Sequence, residues 1–337
     1  MKVTIKDVAK AAGVSIATVS RVINNLGGYS EETKNQVLQV IDELGYQPNQ
    51  VARGLVSNRT RTIALIVPDL TSTLALELLK GVEKGAHKKG NSVILCNTES
   101  EGIKTMDYLK LLHEKRIDGI IFASNELKKD YYEYIQKMHI PLVLLATQSP
   151  RFAVPFVKVD DRLAAYAAVE YLMKKGHRKI GIISAGEDDG IAGLPRLEGY
   201  QLALSDYGIP VSENRIVRTK GFHFEDGRIG LRRLIQQDSE ITAVFAGSDD
   251  IAAGIISSSH ELGIRVPEDL SIIGYDNLKI AEMVVPPLTT VAQPLAEMGE
   301  KACDMIIDML ENGKLVQSLY FPHKIIERKS VKTLFSS

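Results

Sequence analysis

Two sets of residues in this chain have types and spacings that could do chemistry. The first lies near the start. Ser15, Ile16, Ala17, Thr18, Ser20, Arg21 and Asn24 fall at the beginning or on the outer face of one short helix. They are small polar and apolar groups plus one arginine, a set suited to base edges and phosphates in a DNA major groove. The second set is scattered through the later chain: Ser72 and Leu74, Asp160, Arg196, Phe222, Ser248 and Asp276. An arginine fork bonds vicinal hydroxyls in pairs, carboxylates accept their protons, and an aromatic face stacks on the apolar side of a ring. Those are the requirements of a polyhydroxylated small molecule.

The elements that must position these groups can be read from spacing. Thr4 with Asp7 three residues on starts a helix whose apolar face is Val8, Ala9 and Ala12. Gly13 permits a left-handed turn, and Ser15 caps a second helix with Val19, Val22 and Ile23 inward. A third helix, capped by Ser30, carries Val37, Val40, Ile41 and Leu44 before Gly45 ends it.

From Thr62 the pattern changes to apolar strands alternating with amphipathic helices. Ile63–Val67, Val93–Cys96, Gly119–Phe122, Leu142–Leu145 and Val157–Asp160 form one series; Lys179–Ile183, Arg215–Val217, Ala243–Phe245 and Ser271–Tyr275 form a second. Such runs imply parallel sheets covered on both faces. Two similar α/β lobes imply a cleft between them, reached by the loops after the strands. Each cleft residue also has a plainer reading: Arg196 paired with Glu198 or another surface acid, Phe222 in the core, Asp249 capping the helix that follows, Asp276 in a turn.

Composition agrees with a globular protein of two or three domains: 337 residues, 45% hydrophobic, 25% charged, net charge -1. The first 61 residues hold eight Lys and Arg against five Asp and Glu, so +3 there leaves -4 for the rest. That asymmetry favours nucleic acid at the N-terminal end but is modest. Cys96 and Cys303 lie far apart with no metal-ligand spacing, so buried thiols in a reducing compartment are expected, with no metal or cofactor. No apolar run approaches the ~20 residues that span a bilayer, and no secretory leader precedes the first helix. A cytoplasmic protein with no membrane partner is expected. A solute-binding transport protein would share the lobes but would need a leader there. No P-loop, nucleophile elbow, zinc-protease or dinucleotide motif is present, so no enzyme is expected.

The runs VTIKDVAKAAGVSIATVSRVIN and LGYQPNQVARGL, together with LTTVAQP at 288–294, resemble the LacI/GalR family of bacterial transcription regulators along essentially the whole chain. The resemblance implies an all-α helix-turn-helix headpiece at 1–47, a hinge at 48–60, and an α/β two-lobed periplasmic-binding-protein-like domain at 61–337. Its first lobe would cover about 61–160 and 291–320, its second about 161–290 and 321–330. It also implies that Thr4, Asn49 and Leu55 join the DNA-binding set, with Asn49–Ser57 folding into a hinge helix on operator DNA. Leu55 would wedge into the minor groove, where unstacking costs a few kcal/mol. Positions matching Arg196, Phe222 and Asp276 contact the effector in that family, and those matching Asp160, Ser248 and Gln293 line the same cleft.

The expected partners are therefore a near-palindromic double-stranded operator, a second copy of the chain, and a sugar or sugar phosphate, with a purine or nucleoside as the other class. The expected function is repression of a carbohydrate-use operon, with corepressor dependence as the alternative sign. Two departures stand out. Ser72-Thr73-Leu74-Ala75 replaces the family's Asn-Pro-aromatic-aromatic run, which removes an aromatic wall. Leu295-Ala296-Glu297-Met298 lacks the tyrosine expected of relatives that bind a phosphorylated carrier protein, so that partner is disfavoured. No leucine heptads follow Glu327-Arg328-Lys329-Ser330, so a coiled-coil tetramer is not expected.

Overall fold

The computed structural model describes residues 3–24, 26–46, 59–70, 72–99, 102, 104–123, 126–186, 188–313 and 316–334. Most of the expected hinge, including Asn49 and Leu55, lies outside the described residues. The chain divides into two compact units, 1–60 and 61–337.

The first unit is three helices, α1 (Ile5–Ala11), α2 (Ile16–Ile23) and α3 (Glu31–Glu43). The Asp7 carboxylate accepts from the Thr4 amide at 2.9 Å and the Thr4 hydroxyl at 2.7 Å, which fixes the start of α1. Those bonds hold the Asp7 pKa below its ordinary value. Gly13 takes φ +63° in the turn. Val8, Ala9, Ala12, Val19, Val22 and Val37 form the core. Leu44, expected inward, is exposed, because α3 has already ended and Leu44 caps it.

The second unit holds two six-stranded sheets. The first is built from β1 (Thr62–Val67), β2 (Ser92–Asn97), β3 (Gly119–Phe122), β4 (Leu142–Leu145), β5 (Phe156–Val159) and β11 (Leu319–Phe321). The second uses β6 (Ile180–Ala185), β7 (Ile216–Thr219), β8 (Ala243–Ala246), β9 (Ser271–Asp276), β10 (Thr289–Ala292) and β12 (Lys324–Ile326). Their orders match, β11-β5-β4-β3-β1-β2 and β12-β10-β9-β8-β6-β7. All pairs are parallel except β10 with β12. Each central strand is apolar and buried on both faces, which explains the continuous runs in the sequence.

Helices cover both faces. On the first sheet α4 (Thr73–Lys88) pairs with α12 (Leu295–Asn312), opposite α5 (Thr105–Glu114) and α6 (Lys129–Met138). On the second, α7 (Asp161–Lys174) pairs with α8 (Gly193–Asp206), opposite α9 (Phe224–Gln237) and α10 (Asp249–Glu261); α11 (Ile280–Met283) is a single turn. The paired helices approach through glycine. A β-carbon on Gly81 would lie 1.9 Å from the Ala296 carbonyl oxygen, and one on Gly254 would lie 2.0 Å from that of Phe224.

The chain crosses between the sheets three times: at Asp160, at 293–294 and at 322–323. Two of the expected lobe boundaries therefore shift. Residues 291–292 belong to β10 of the second sheet, and Phe321 to β11 of the first. These short strands sit at or near sheet edges, where apolar periodicity is weak.

Candidate functional site

The residues expected to face DNA lie along α2 and at its two ends, and they are not equally available. Ser15 caps the helix, accepting from the Thr18 amide at 3.0 Å, and its hydroxyl is 2.9 Å from that of Thr18. Asn24 donates back to the Ser20 carbonyl at 2.8 Å. Ile16, Ala17 and Arg21 are exposed. The outward face thus presents an apolar pair and an arginine, with Ser15, Thr18, Ser20 and Asn24 held by the helix's own ends.

In the second unit, Arg196 lies in the first turn of α8 and is 5% exposed. Its partner is neither Glu198 nor any surface acid but Asp161, the first residue of α7: Nε and Nη2 donate to Asp161 Oδ1 at 3.0 and 2.8 Å. Nη1 donates to the Gly247 carbonyl. The guanidinium carbon stands 3.8 Å from the Tyr275 ring centroid and 5.0 Å from that of Phe222. The Tyr275 hydroxyl also donates to Asp161 Oδ1, at 3.0 Å. Burial opposes the charge on Arg196, but Asp161, Tyr275 and Asp276 outweigh it and hold the guanidinium ionised.

Asp276 ends β9 with φ +111° and Asn277 follows at +60°. Two successive non-glycine residues in that region store strain of about 1–3 kcal/mol each. Arg328 holds the turn by donating to Asn277 Oδ1 at 2.8 Å and to the Leu288 carbonyl at 2.9 Å. Gln293 donates to Asp276 Oδ1 at 2.7 Å. Burial pushes the Asp276 carboxyl up to about 7, against the opposing effects of Arg196 and the Gln293 bond.

Because its folded pKa lies above the unfolded value, Asp276 keeps in the native state a proton that the unfolded chain releases. Its contribution to stability should therefore fall as pH rises from about 4 to about 7 and stay level above. Urea denaturation of wild type and Asp276→Asn across that window should show the wild type losing stability relative to the variant as pH increases. A difference that stays constant would contradict the raised value.

Ser248, rather than Asp249, caps α10: it accepts from the Ile251 amide at 3.0 Å and donates to the Phe222 carbonyl at 2.9 Å. It therefore positions Phe222. Asp249 turns inward instead, accepting from the Thr290 hydroxyl and the Leu278 amide, both at 2.6 Å. Burial and the nearby Asp276 raise its pKa well above its ordinary value, and its two bonds join α10 to β10 and to the segment after β9. Asp160 caps α7, with Oδ1 accepting from the Arg162 and Leu163 amides at 3.1 Å.

Ser72 and Leu74 lie at the start of α4, beyond the carboxyl end of β1. A cavity of about 360 Å³ opens beside Asp276 and Gln293, walled by Glu77, Leu278 and Lys279 and by Pro294 to Glu297. Arg196, Phe222 and Asp160 do not line it. The predicted residues are thus brought into two touching groups, Arg196 and Ser248 with Phe222, and Asp276 with Gln293, while Ser72, Leu74 and Asp160 stand at neighbouring strand ends.

Asp161 and Lys158 were not among the residues expected at the site, and Tyr275 was expected there only as part of the loop Tyr275-Asp276-Asn277. Lys158 Nζ is 3.0 Å from Asp161 Oδ2, and both side chains are under 7% exposed. The available signal was a charged residue inside an otherwise apolar strand, which reads on its own as one solvated face.

A helix-turn-helix unit followed by a two-lobed domain with a polar, aromatic-lined cluster at its strand ends defines a ligand-responsive regulator of transcription. Residues 4–49 match the model for bacterial regulatory proteins of the lacI family, and residues 169–331 that for periplasmic binding protein-like domains. The chain is 36% identical to catabolite control protein A of Priestia megaterium over 98% of its own length and 100% of the relative's. It is 40% identical to the transcriptional regulator RegA of Clostridium acetobutylicum, again over 98% and 100%. The chain belongs to the LacI family of transcription regulators, and it is a DNA-binding regulator rather than an enzyme.

Among solved structures, the CelR–cellobiose complex superposes with a TM-score of 0.75 at 28% identity, covering 98% of this chain and 100% of that one. The operator-bound lac repressor dimer reaches 0.86 at 24% identity over 98% and 100%, which establishes the shared fold. A ribose-bound LacI-family regulator from Enterococcus faecium gives 0.72 at 31% identity, covering 81% of this chain and all of that one. Among the described residues no helix is long and apolar enough to cross a membrane.

Proposed function

We propose that this regulator represses a carbohydrate-use operon in the cytoplasm, binding a near-palindromic operator as a homodimer and changing that grip when a sugar or sugar phosphate enters the cleft. The observation that carries this reading is the Arg196 guanidinium held between the Phe222 and Tyr275 rings with Asp276 alongside. Nε, Nη1 and Nη2 each make one bond to protein. Two of the five N–H donors are left to bond a ligand's hydroxyls. The sugars in the solved complexes of two relatives support the same class.

In this reading two copies of α2 enter successive major grooves, and the segment around Asn49 and Leu55 opens the minor groove between them. Arg21, together with Ile16 and Ala17, makes the base and phosphate contacts. Arg21→Ala should therefore cost about 1–3 kcal/mol in operator binding while leaving effector affinity unchanged. Gel shift at fixed salt measures the first and calorimetry the second; an unchanged operator affinity would remove α2 from its role. Titration with a panel of sugars, sugar phosphates and nucleosides tests the ligand class, and binding of nucleosides alone would replace the sugar.

A further inference from the structure

Lys158 sits in the middle of β5 with its side chain 3% exposed. A lysine so deeply placed requires compensating partners, and here they come from the other lobe. Its ammonium is 3.0 Å from Asp161 Oδ2 and donates to the Ile191 carbonyl at 3.3 Å. Asp161 opens α7, and Ile191 lies in the segment between β6 and α8. Oδ1, the second oxygen of Asp161, carries Nε and Nη2 of Arg196 and the Tyr275 hydroxyl. One carboxylate is thus divided between a cation of the first lobe and the ligand-facing fork of the second.

We propose that Lys158 is a positioning residue of the effector site, through which the angle between the lobes sets the orientation of Arg196. The inference rests on the reading of Arg196 as a ligand-binding fork. With Lys158 on Oδ2 the carboxylate cannot turn about its own bond, so Oδ1 stays aimed at the guanidinium. Rotation of the lobes about the crossovers would draw the ammonium away from Asp161 and Ile191 together. That would leave a buried cation without partners and a carboxylate free to turn, which is costly for a desolvated pair. Opening of the lobes and loss of the fork's aim are then one event. Packing alone would be served by an apolar residue, as Val157 and Val159 show on the opposite face of the same strand.

The test uses the full chain carrying Lys158→Met. Calorimetry with cellobiose, ribose and the remaining sugar panel, and gel shift with and without the sugar that wild type binds, give affinity and response. Hydrogen exchange on residues 189–197 reports the tie between lobes without any ligand. The variant should bind sugar about tenfold more weakly or worse and lose its response, while sugar-free operator affinity stays within about twofold. Exchange at 189–197 should rise while α4 and α12 are unchanged.

Weaker binding with unchanged exchange would make Lys158 a direct ligand contact and overturn the proposal. Faster exchange with unchanged binding would make it a structural tie only, with the same consequence, and no change in either would dismiss it outright. If Lys158→Met does not fold, Lys158→Gln, which is neutral but can still donate to Ile191, is read the same way. Should wild type bind no sugar, the carbohydrate reading fails, and whichever sugar phosphate or nucleoside it does bind takes the sugar's place in the comparison with Lys158→Met, the exchange measurement being read in the same way.

Discussion

Replacing Arg196 with alanine should abolish the effector response while the protein still binds operator. On the proposed reading the fork supplies the ligand's main donor pair, and the α2 face proposed to read DNA lies in a separate compact unit. A ligand shifts the protein only by its differential affinity for two lobe arrangements, and a 5- to 150-fold effect on operator binding corresponds to roughly 1–3 kcal/mol. If Arg196 donates to the ligand in that way, losing the donor pair removes energy of that order. The substitution also strips Asp161 of one buried cation. Breaking a buried pair costs about 3–5 kcal/mol, and the low end is expected because Lys158 and Tyr275 remain on the carboxylate. The measurements are sugar calorimetry, gel shift with and without sugar, and urea denaturation. A variant that binds the wild-type sugar normally and still responds would reduce Arg196 to a structural ion-pair residue, and the site would have to be rebuilt around Phe222 and Asp276.

The largest effect on stability should come from Gly81→Val. A β-carbon at Gly81 would meet the Ala296 carbonyl oxygen at 1.9 Å, and one at Gly299, from the facing helix, would meet the Leu78 carbonyl oxygen at 2.4 Å. The obstacles are backbone atoms, so no rotamer change relieves them and α4 must separate from α12. Overpacking a well-filled core costs about 1–3 kcal/mol, and backbone against backbone should exceed that. Gly190→Ala is the control: a β-carbon there meets nothing within 4 Å. Thermal denaturation should show the first variant melting many degrees lower and the second close to wild type. Similar melting of the two would mean the helices separate readily.

The alternation of strands and helices was legible because buried parallel strands must be apolar on both faces, and β1, β3 and β4 are. The three-helix unit was legible for the complementary reason, since each helix carries its own cap and one apolar face. Strands β10, β11 and β12 were not, because they are three or four residues long and each adjoins a crossover. In the site, residue types were legible but pairings were not. Arg196 and Phe222 are residue types suited to a ring-shaped ligand, yet that Asp161 rather than Glu198 holds the arginine depends on how α7 and α8 pack. Ser248, expected in the cleft, caps α10 in place of Asp249, because either can cap a helix and only the three-dimensional position of Thr290 and Leu278 decides which turns inward. Lys158 was invisible for the reason that makes it informative: nothing in Val157-Lys158-Val159 tells a buried cation from a solvated one.

The third crossover also governs the order in which the molecule can be made. The headpiece draws on contiguous early residues, whereas the first sheet is incomplete without α12 and β11, and the second without β12. Beyond β12, Ser330 donates to the Ile272 carbonyl in β9 and Leu334 to that of Lys175 at the end of α7, so the second lobe draws on residues as late as 334. Chains elongate from the N-terminus at about 5–20 residues per second, and domains fold as units. For many seconds a nascent chain therefore carries a foldable DNA-reading unit but no finished effector domain. Ligand control begins only once the residues that close both sheets have left the ribosome.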